Sequence, residues 1–98
     1  MAYRVEIAPR AESDLRALPR EEQERIRPRI DALAASPRPH GAEKAAGTEN
    51  LYRLCVGAYR VIYQVADRIL LVLVLEVGHR RDIYRRLKRM KRRAKGKR

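Results

Sequence analysis

The sequence has a single cysteine, Cys55, so no internal disulfide can form, and nothing in it points to an oxidising compartment. Its two histidines, His40 and His79, do not combine with that thiol into a metal-ligand pattern. Long apolar runs are also missing. The longest, Ile69 to Leu75, falls far short of the ~20 residues that a bilayer span needs. Met1-Ala2-Tyr3-Arg4 leads into a strand pattern rather than the apolar centre of a signal peptide, so a soluble, cytoplasmic protein is expected. Internal repeats are absent. Acids are missing where bases are densest: Arg85 to Arg98 holds ten Lys or Arg and no Asp or Glu.

That block carries ten of the net +12 charges, which leaves +2 for residues 1–84. The body is nearly balanced, and the field comes from the tail. Such blocks commonly contact phosphates, because neutralising a phosphate releases condensed counterions. The plainer alternative is a solvated tail that only aids solubility. At 98 residues the chain makes one domain with a modest core. We read residues 1–84 as the domain and 85–98 as a basic C-terminal helix or tail, its last dozen residues low in complexity.

Tyr3 to Ile7 alternates like a half-buried strand, with Tyr3, Val5 and Ile7 on one face. Ala11, Leu15 and Leu18 recur at helical spacing up to Pro19. A second helix is expected from Arg20 to Ala35, striped by Ile26, Ile30 and Leu33. Pro28 lacks a helix donor and crowds the preceding turn, which predicts a kink or split near Arg25. Ser36-Pro37-Arg38-Pro39 ends this helix, and the small, polar stretch His40 to Asn50 reads as a loop. Three strands follow: Leu51 to Val56, Tyr59 to Ala66 and Ile69 to Val77. Gly57-Ala58 and Asp67-Arg68 form the tight turns between them. The apolar run Ile69 to Leu75 suggests a strand covered on both sides. From Arg80 a last helix enters the tail. The expected class is α+β in the order β-α-α-β-β-β-α: an antiparallel sheet with a helical hairpin on one face and a C-terminal helix.

A two-residue loop at Gly57-Ala58 sets Val56 opposite Tyr59, Cys55 opposite Arg60, Leu54 opposite Val61 and Arg53 opposite Ile62. Side chains alternate along a strand, so Tyr52, Leu54, Val56, Tyr59, Val61, Tyr63 and Val65 share the face under the helices. The other face carries Arg53, Cys55, Arg60 and Gln64, with Arg80, Arg81 and Tyr84 near its rim. Taken singly, such arginines are ordinary solvated strand residues, and Tyr84 could simply pack on the sheet. Together they make a cationic surface suited to a nucleic-acid backbone. Cys55 reads as a small filler, because no thiol–base pattern surrounds it.

These residues resemble the RelE/ParE superfamily of toxins, on its RelE-like branch. The similarity runs from about Tyr3 to Tyr84. It rests most on Leu51-Tyr52-Arg53-Leu54, on Val56-Gly57-Ala58-Tyr59-Arg60-Val61-Ile62-Tyr63-Gln64-Val65, and on Val77-Gly78-His79-Arg80-Arg81-Asp82-Ile83-Tyr84. The resemblance implies a type II toxin held inactive by a cognate, RelB-like antitoxin. It also implies a ribosome-dependent endoribonuclease that cuts messenger RNA in the A site, without a metal or small-molecule cofactor. In that chemistry the RNA 2′-oxygen attacks the adjacent phosphate, and the phosphorane needs charge stabilisation.

By position the resemblance makes Arg60 and Arg80 the phosphate-stabilising arginines, with Arg53 a further basic group. Tyr84 becomes the tyrosine that stacks on a base. Lys44, His79, Arg81, Arg85, Arg86 and Lys88 are expected RNA contacts. Cys55 departs from the family pattern, which commonly has a second lysine or arginine there, and Ala45 replaces a larger apolar residue. An arginine does not give up its proton in proteins. The general base therefore stays open among His79, Lys44 and a mechanism of orientation alone, histidine being the side chain that ordinarily titrates near neutrality. Two other functions remain open: a ParE-like toxin that binds DNA gyrase, and a non-catalytic nucleic-acid-binding module driven by the tail.

Overall fold

The computed structural model describes residues 2–45, 50–86 and 88. Strand β1 (Arg4–Ile7) leads into helices α1 (Pro9–Arg16) and α2 (Arg20–Asp31), the latter tightening into a 3-10 turn at Ala32–Ala34. Then come β2 (Ala42–Lys44), β3 (Leu51–Val56), β4 (Tyr59–Ala66) and β5 (Leu71–His79). The chain is helical again over residues 80–86, here α3, and at 88. Five strands form one sheet in the order β1-β5-β4-β3-β2. The β3-β4-β5 meander is antiparallel, as the pattern led us to expect. β1 adds a parallel strand against β5, with Val5 level with Val72. Among the described residues no helix is long and apolar enough to cross a membrane.

Three expectations need correcting. The stretch His40 to Asn50 is not loop throughout, because β2 pairs antiparallel with β3 in the middle of it. Ile69 does not open β5: it ends a 3-10 turn, Asp67–Ile69, and is 66 % exposed. Leu70 follows in the left-handed region at φ 50°, so the connection is longer than the two-residue turn expected. Pro28 does not split α2, which runs through it to Asp31, although the helix stops short of Ala35. Pro28 is exposed, on the side away from the buried Ile26 and Ile30, so its missing donor is lost on a solvated flank.

The helices cover one sheet face. Ala11 and Leu15 of α1 and Ile26 and Ile30 of α2 join Leu33 against Leu54, Val61, Tyr63, Val65, Val72 and Val74. Pro9 at the first helical position and Glu12 in the first turn suit the start of α1, as Arg16 suits its end. A polar clasp fixes the return from the helices to the sheet. Arg38 donates to Asp67 Oδ2 (2.6 Å) and to the Tyr52 hydroxyl (2.9 Å), and the Tyr3 hydroxyl donates to Asp67 Oδ1 (2.6 Å). The Arg38 guanidinium, helped by Tyr3, holds the Asp67 carboxyl below the usual range. The Tyr63 hydroxyl donates to the Pro37 carbonyl at 2.8 Å, and burial pushes its pKa up to about 12.

Two backbone details set up the other face. Gly57 stands at φ 60° while Ala58 does not share the positive sign, the pattern of a type II′ hairpin. The resulting register sets Arg53 opposite Ile62 and Cys55 opposite Arg60, as expected. In β5 the register slips by one: Ile62 pairs with Glu76 but Tyr63 with Val74, so Leu75 is an unpaired bulge residue. Val74 and Val77 consequently both belong to the helix-covered core, while Leu75 packs on the opposite face.

Candidate nucleic-acid interface

The face away from α1 and α2 has its own small apolar centre, which the pattern of polar residues on it had concealed. Ile62, Leu51, Ala45 and Ile83 are each 8 % exposed or less and pack together, with Leu75 against them. Ile83 pins α3 to the sheet. Gly78, level with Arg60, leaves room for it: a Cβ there would stand 3.4 Å from Ile83 Cδ1 and Cγ1.

Beside this centre lies a cavity of about 590 Å³ lined by Glu43, Arg53, Cys55, Arg60, Arg80, Arg81, Ile83 and Tyr84. Four arginines against one glutamate make it strongly cationic. The β3–β4 turn arranges two of them. Arg60 Nη1 donates to the Gly57 and Tyr59 carbonyls, both at 2.9 Å, and the Arg80 backbone N–H donates to the Ala58 carbonyl at 2.8 Å. Arg53 is held by Glu43 Oε2 at 2.8 Å, its direct cross-strand neighbour. The side chains of Arg80 and Arg81 make no ion pair among the described residues. The Tyr84 ring is 63 % exposed at the mouth, with Lys88 Nζ 5.9 Å from its centroid. Guanidinium forks match the geometry of phosphate oxygens, and an exposed phenol ring offers a base a stacking surface.

The structure thus gathers Arg53, Arg60, Arg80, Arg81 and Tyr84, with Lys88 at the edge. It disposes the other expected contacts elsewhere. Lys44 alternates with Glu43 and so lies on the other face of β2, level with Tyr52. His79 is level with Tyr59, packing edge-on at 5.9 Å, and its Nδ1 accepts the Arg81 N–H at 3.3 Å, closing the start of α3. Arg85 pairs with Asp82 at 3.2 Å. Arg86 turns back between Asp14 (3.2 Å) and Glu76 (3.1 Å), and the same Asp14 oxygen accepts the Val77 N–H at 3.1 Å. Arg86 therefore ties α3 to α1 and β5. The tail beyond Lys88 lies outside the described residues. Among those described, no three His, Cys, Asp or Glu side chains gather as a metal site. Glu43 was missed because the stretch around it was read as loop, where alternation gives no direction.

A small α+β protein with an arginine-lined cleft beside its last helix is the class that these features define. The family model described as the ParE toxin of type II toxin–antitoxin system, parDE, matches residues 5–84. Among solved structures, the chain is similar to the archaeal RelE–RelB complex from Pyrococcus horikoshii OT3, with TM-score 0.72 and 33 % identity over 82 % of this chain and 97 % of that one. It is also similar to a mutant of E. coli toxin RelE in the free state, with TM-score 0.70 and 30 % identity over 81 % and 84 % of the two chains. The toxin–antitoxin complex RelBE2 from Mycobacterium tuberculosis shares the fold, with TM-score 0.71 at 24 % identity over 82 % and 100 %. No curated protein sequence matches the chain. The chain belongs to the RelE/ParE superfamily of type II toxin–antitoxin toxins, and its structure is RelE-like.

Proposed function

We propose that this protein is a cytoplasmic, ribosome-dependent endoribonuclease that cuts messenger RNA in the A site. The observation that carries this reading is the convergence of Arg53, Arg60, Arg80, Arg81 and Tyr84 on one cavity. The RNA 2′-oxygen attacks the adjacent phosphorus and the bond to the 5′-oxygen breaks, leaving a 2′,3′-cyclic phosphate and a 5′-hydroxyl. Arg60 and Arg80 neutralise charge that grows on the phosphorane oxygens, the term that usually dominates such catalysis. Arg53 and Arg81 hold flanking phosphates, and Tyr84 stacks on a base to align the 2′-oxygen. Residues 1–84 form the catalytic domain, and the bases of 85–98 add affinity for ribosomal or messenger phosphates. A RelB-like antitoxin keeps the toxin inactive. Two of the similar structures are RelE–RelB and RelBE complexes, and this chain's cationic cleft suits an acidic segment.

The description of the matching family model favours a second reading, a ParE-like toxin that binds gyrase, and Cys55 in place of a base is compatible with it. One experiment separates the two. Purified, antitoxin-free protein is added to programmed ribosomes, and cuts are mapped by primer extension beside Arg80→Ala. A cut in the A-site codon that falls by about 10²–10³ in the variant supports the ribonuclease. No cut by folded wild type, with inhibition of gyrase supercoiling, supports the gyrase toxin instead.

A further inference from the structure

We propose that Glu43 is the general base that takes the proton from the attacking 2′-hydroxyl; this rests on the ribonuclease reading above. Among the described residues, Glu43 is the only carboxylate lining the arginine cavity. The arginines there carry donors and no lone pair for a proton, and a thiol or phenol must first lose its own proton, whereas an ionised carboxylate only accepts. The remaining histidine and lysine alternatives, His79 and Lys44, lie on the other face of the sheet. Among the described residues the cavity's acceptor is therefore Glu43.

Its placement is built rather than incidental. β2 is fixed at both ends, by the Ala42 N–H on the Pro39 carbonyl at 3.0 Å and the Ala45 N–H on the Leu51 carbonyl at 2.8 Å. Ala45 is buried against Ile83, and alternation then turns Glu43 to the same face. Arg53 Nη2 binds Oε2 alone, so Oε1 has no protein partner among the described residues. The carboxylate is 63 % exposed, within reach of an entering ribose. In the step, Oε1 accepts the 2′-hydroxyl proton as the 2′-oxygen–phosphorus bond forms. The 5′-oxygen departs with the bonding pair and takes a proton from water, and Glu43 returns its proton to the hydroxide left behind. Arg53 thus has two duties, holding the base and facing the phosphate.

The test is single-turnover cleavage on programmed ribosomes from about pH 5 to about pH 9 with wild type, Glu43→Gln and Arg80→Ala, where general-base loss is expected to cost about 10²–10⁴ in rate. The expected result is a Glu43→Gln rate reduced by that factor, with the rise of rate with pH on the acid limb abolished and ribosome binding retained. Thermal unfolding of the variant checks that this exposed substitution leaves the fold intact. A Glu43→Gln rate equal to or above wild type, or a reduced rate with the acid limb unchanged, overturns the proposal and leaves Glu43 as a neutraliser of Arg53. Cleavage by wild type that Arg80→Ala abolishes keeps the ribonuclease reading whatever Glu43 does. No cleavage by wild type removes both.

Discussion

Replacing Ile83 with alanine should undock the last helix without unfolding the domain. Ile83 is 1 % exposed, but its neighbours Ile62, Leu51, Ala45 and Leu75 lie on one side, and the arginine cavity opens on the other. Removing three carbons at ~0.8 kcal/mol each costs about 2.4 kcal/mol. Buried isoleucine-to-alanine changes run from about 2 to 5 kcal/mol, and the upper range reflects a sealed void. Here solvent can fill the space, so the lower end applies. At ~1.4 kcal/mol per decade, the opening of α3 becomes roughly fifty-fold more frequent. Amide hydrogen exchange reads this directly: residues 81–86 should lose about that factor of protection while β4 amides keep theirs. A uniform loss across both segments, or a change in α3 of less than about threefold, would refute the idea that this contact holds α3 locally.

Other outcomes follow from the same geometry. Arg86→Ala leaves the Asp14 and Glu76 carboxylates, 13 % and 15 % exposed, without a shared cation, and should destabilise by about 1–3 kcal/mol in urea unfolding. Because Arg86 is not among the residues lining the cavity, the folded variant should cleave RNA at a rate close to wild type. The Tyr63 hydroxyl, raised from an ordinary value of about 10 to about 12, contributes stability that is intact below pH ~10 and is lost as pH climbs toward 12. Unfolding midpoints over that range should fall for wild type, and Tyr63→Phe should flatten the fall.

The meander and its register were legible because Gly57-Ala58 is a local signal: one glycine at positive φ fixes six cross-strand pairs. Knowing the register, it follows that Arg53, Cys55 and Arg60 share a face. The rim residues Arg80, Arg81 and Tyr84 could be placed by their distance from the end of an apolar strand. What escaped was non-local. β2 spells Ala-Glu-Lys, with no apolar alternation, and exists because β3 offers it an edge. The parallel β1–β5 pairing joins segments more than sixty residues apart, as does the Asp14–Arg86 contact that gives Arg86 a carboxylate partner. A run of similar basic residues in sequence does not say which will find a carboxylate. His79 was sent to the far face by a bulge that its neighbours Leu75 and Glu76 do not announce.

That bulge acts as a phase shift between two halves of the molecule. Upstream of Leu75 the odd residues of β5 point away from the helices; downstream the even ones do, among them Gly78, which leaves the space that Ile83 fills. Deleting Leu75 would restore a perfect ladder in which Glu76 still faces Ile62 and Val77 still faces Val61, so every later residue would keep its partner and its face. What would go is the Leu75 side chain packed on the centre formed by Ile62 and Ile83, together with the added twist that an unpaired residue gives its strand. The extra residue thus sets how the strand bends as it nears the cationic helix, not which side of the sheet that helix leaves from.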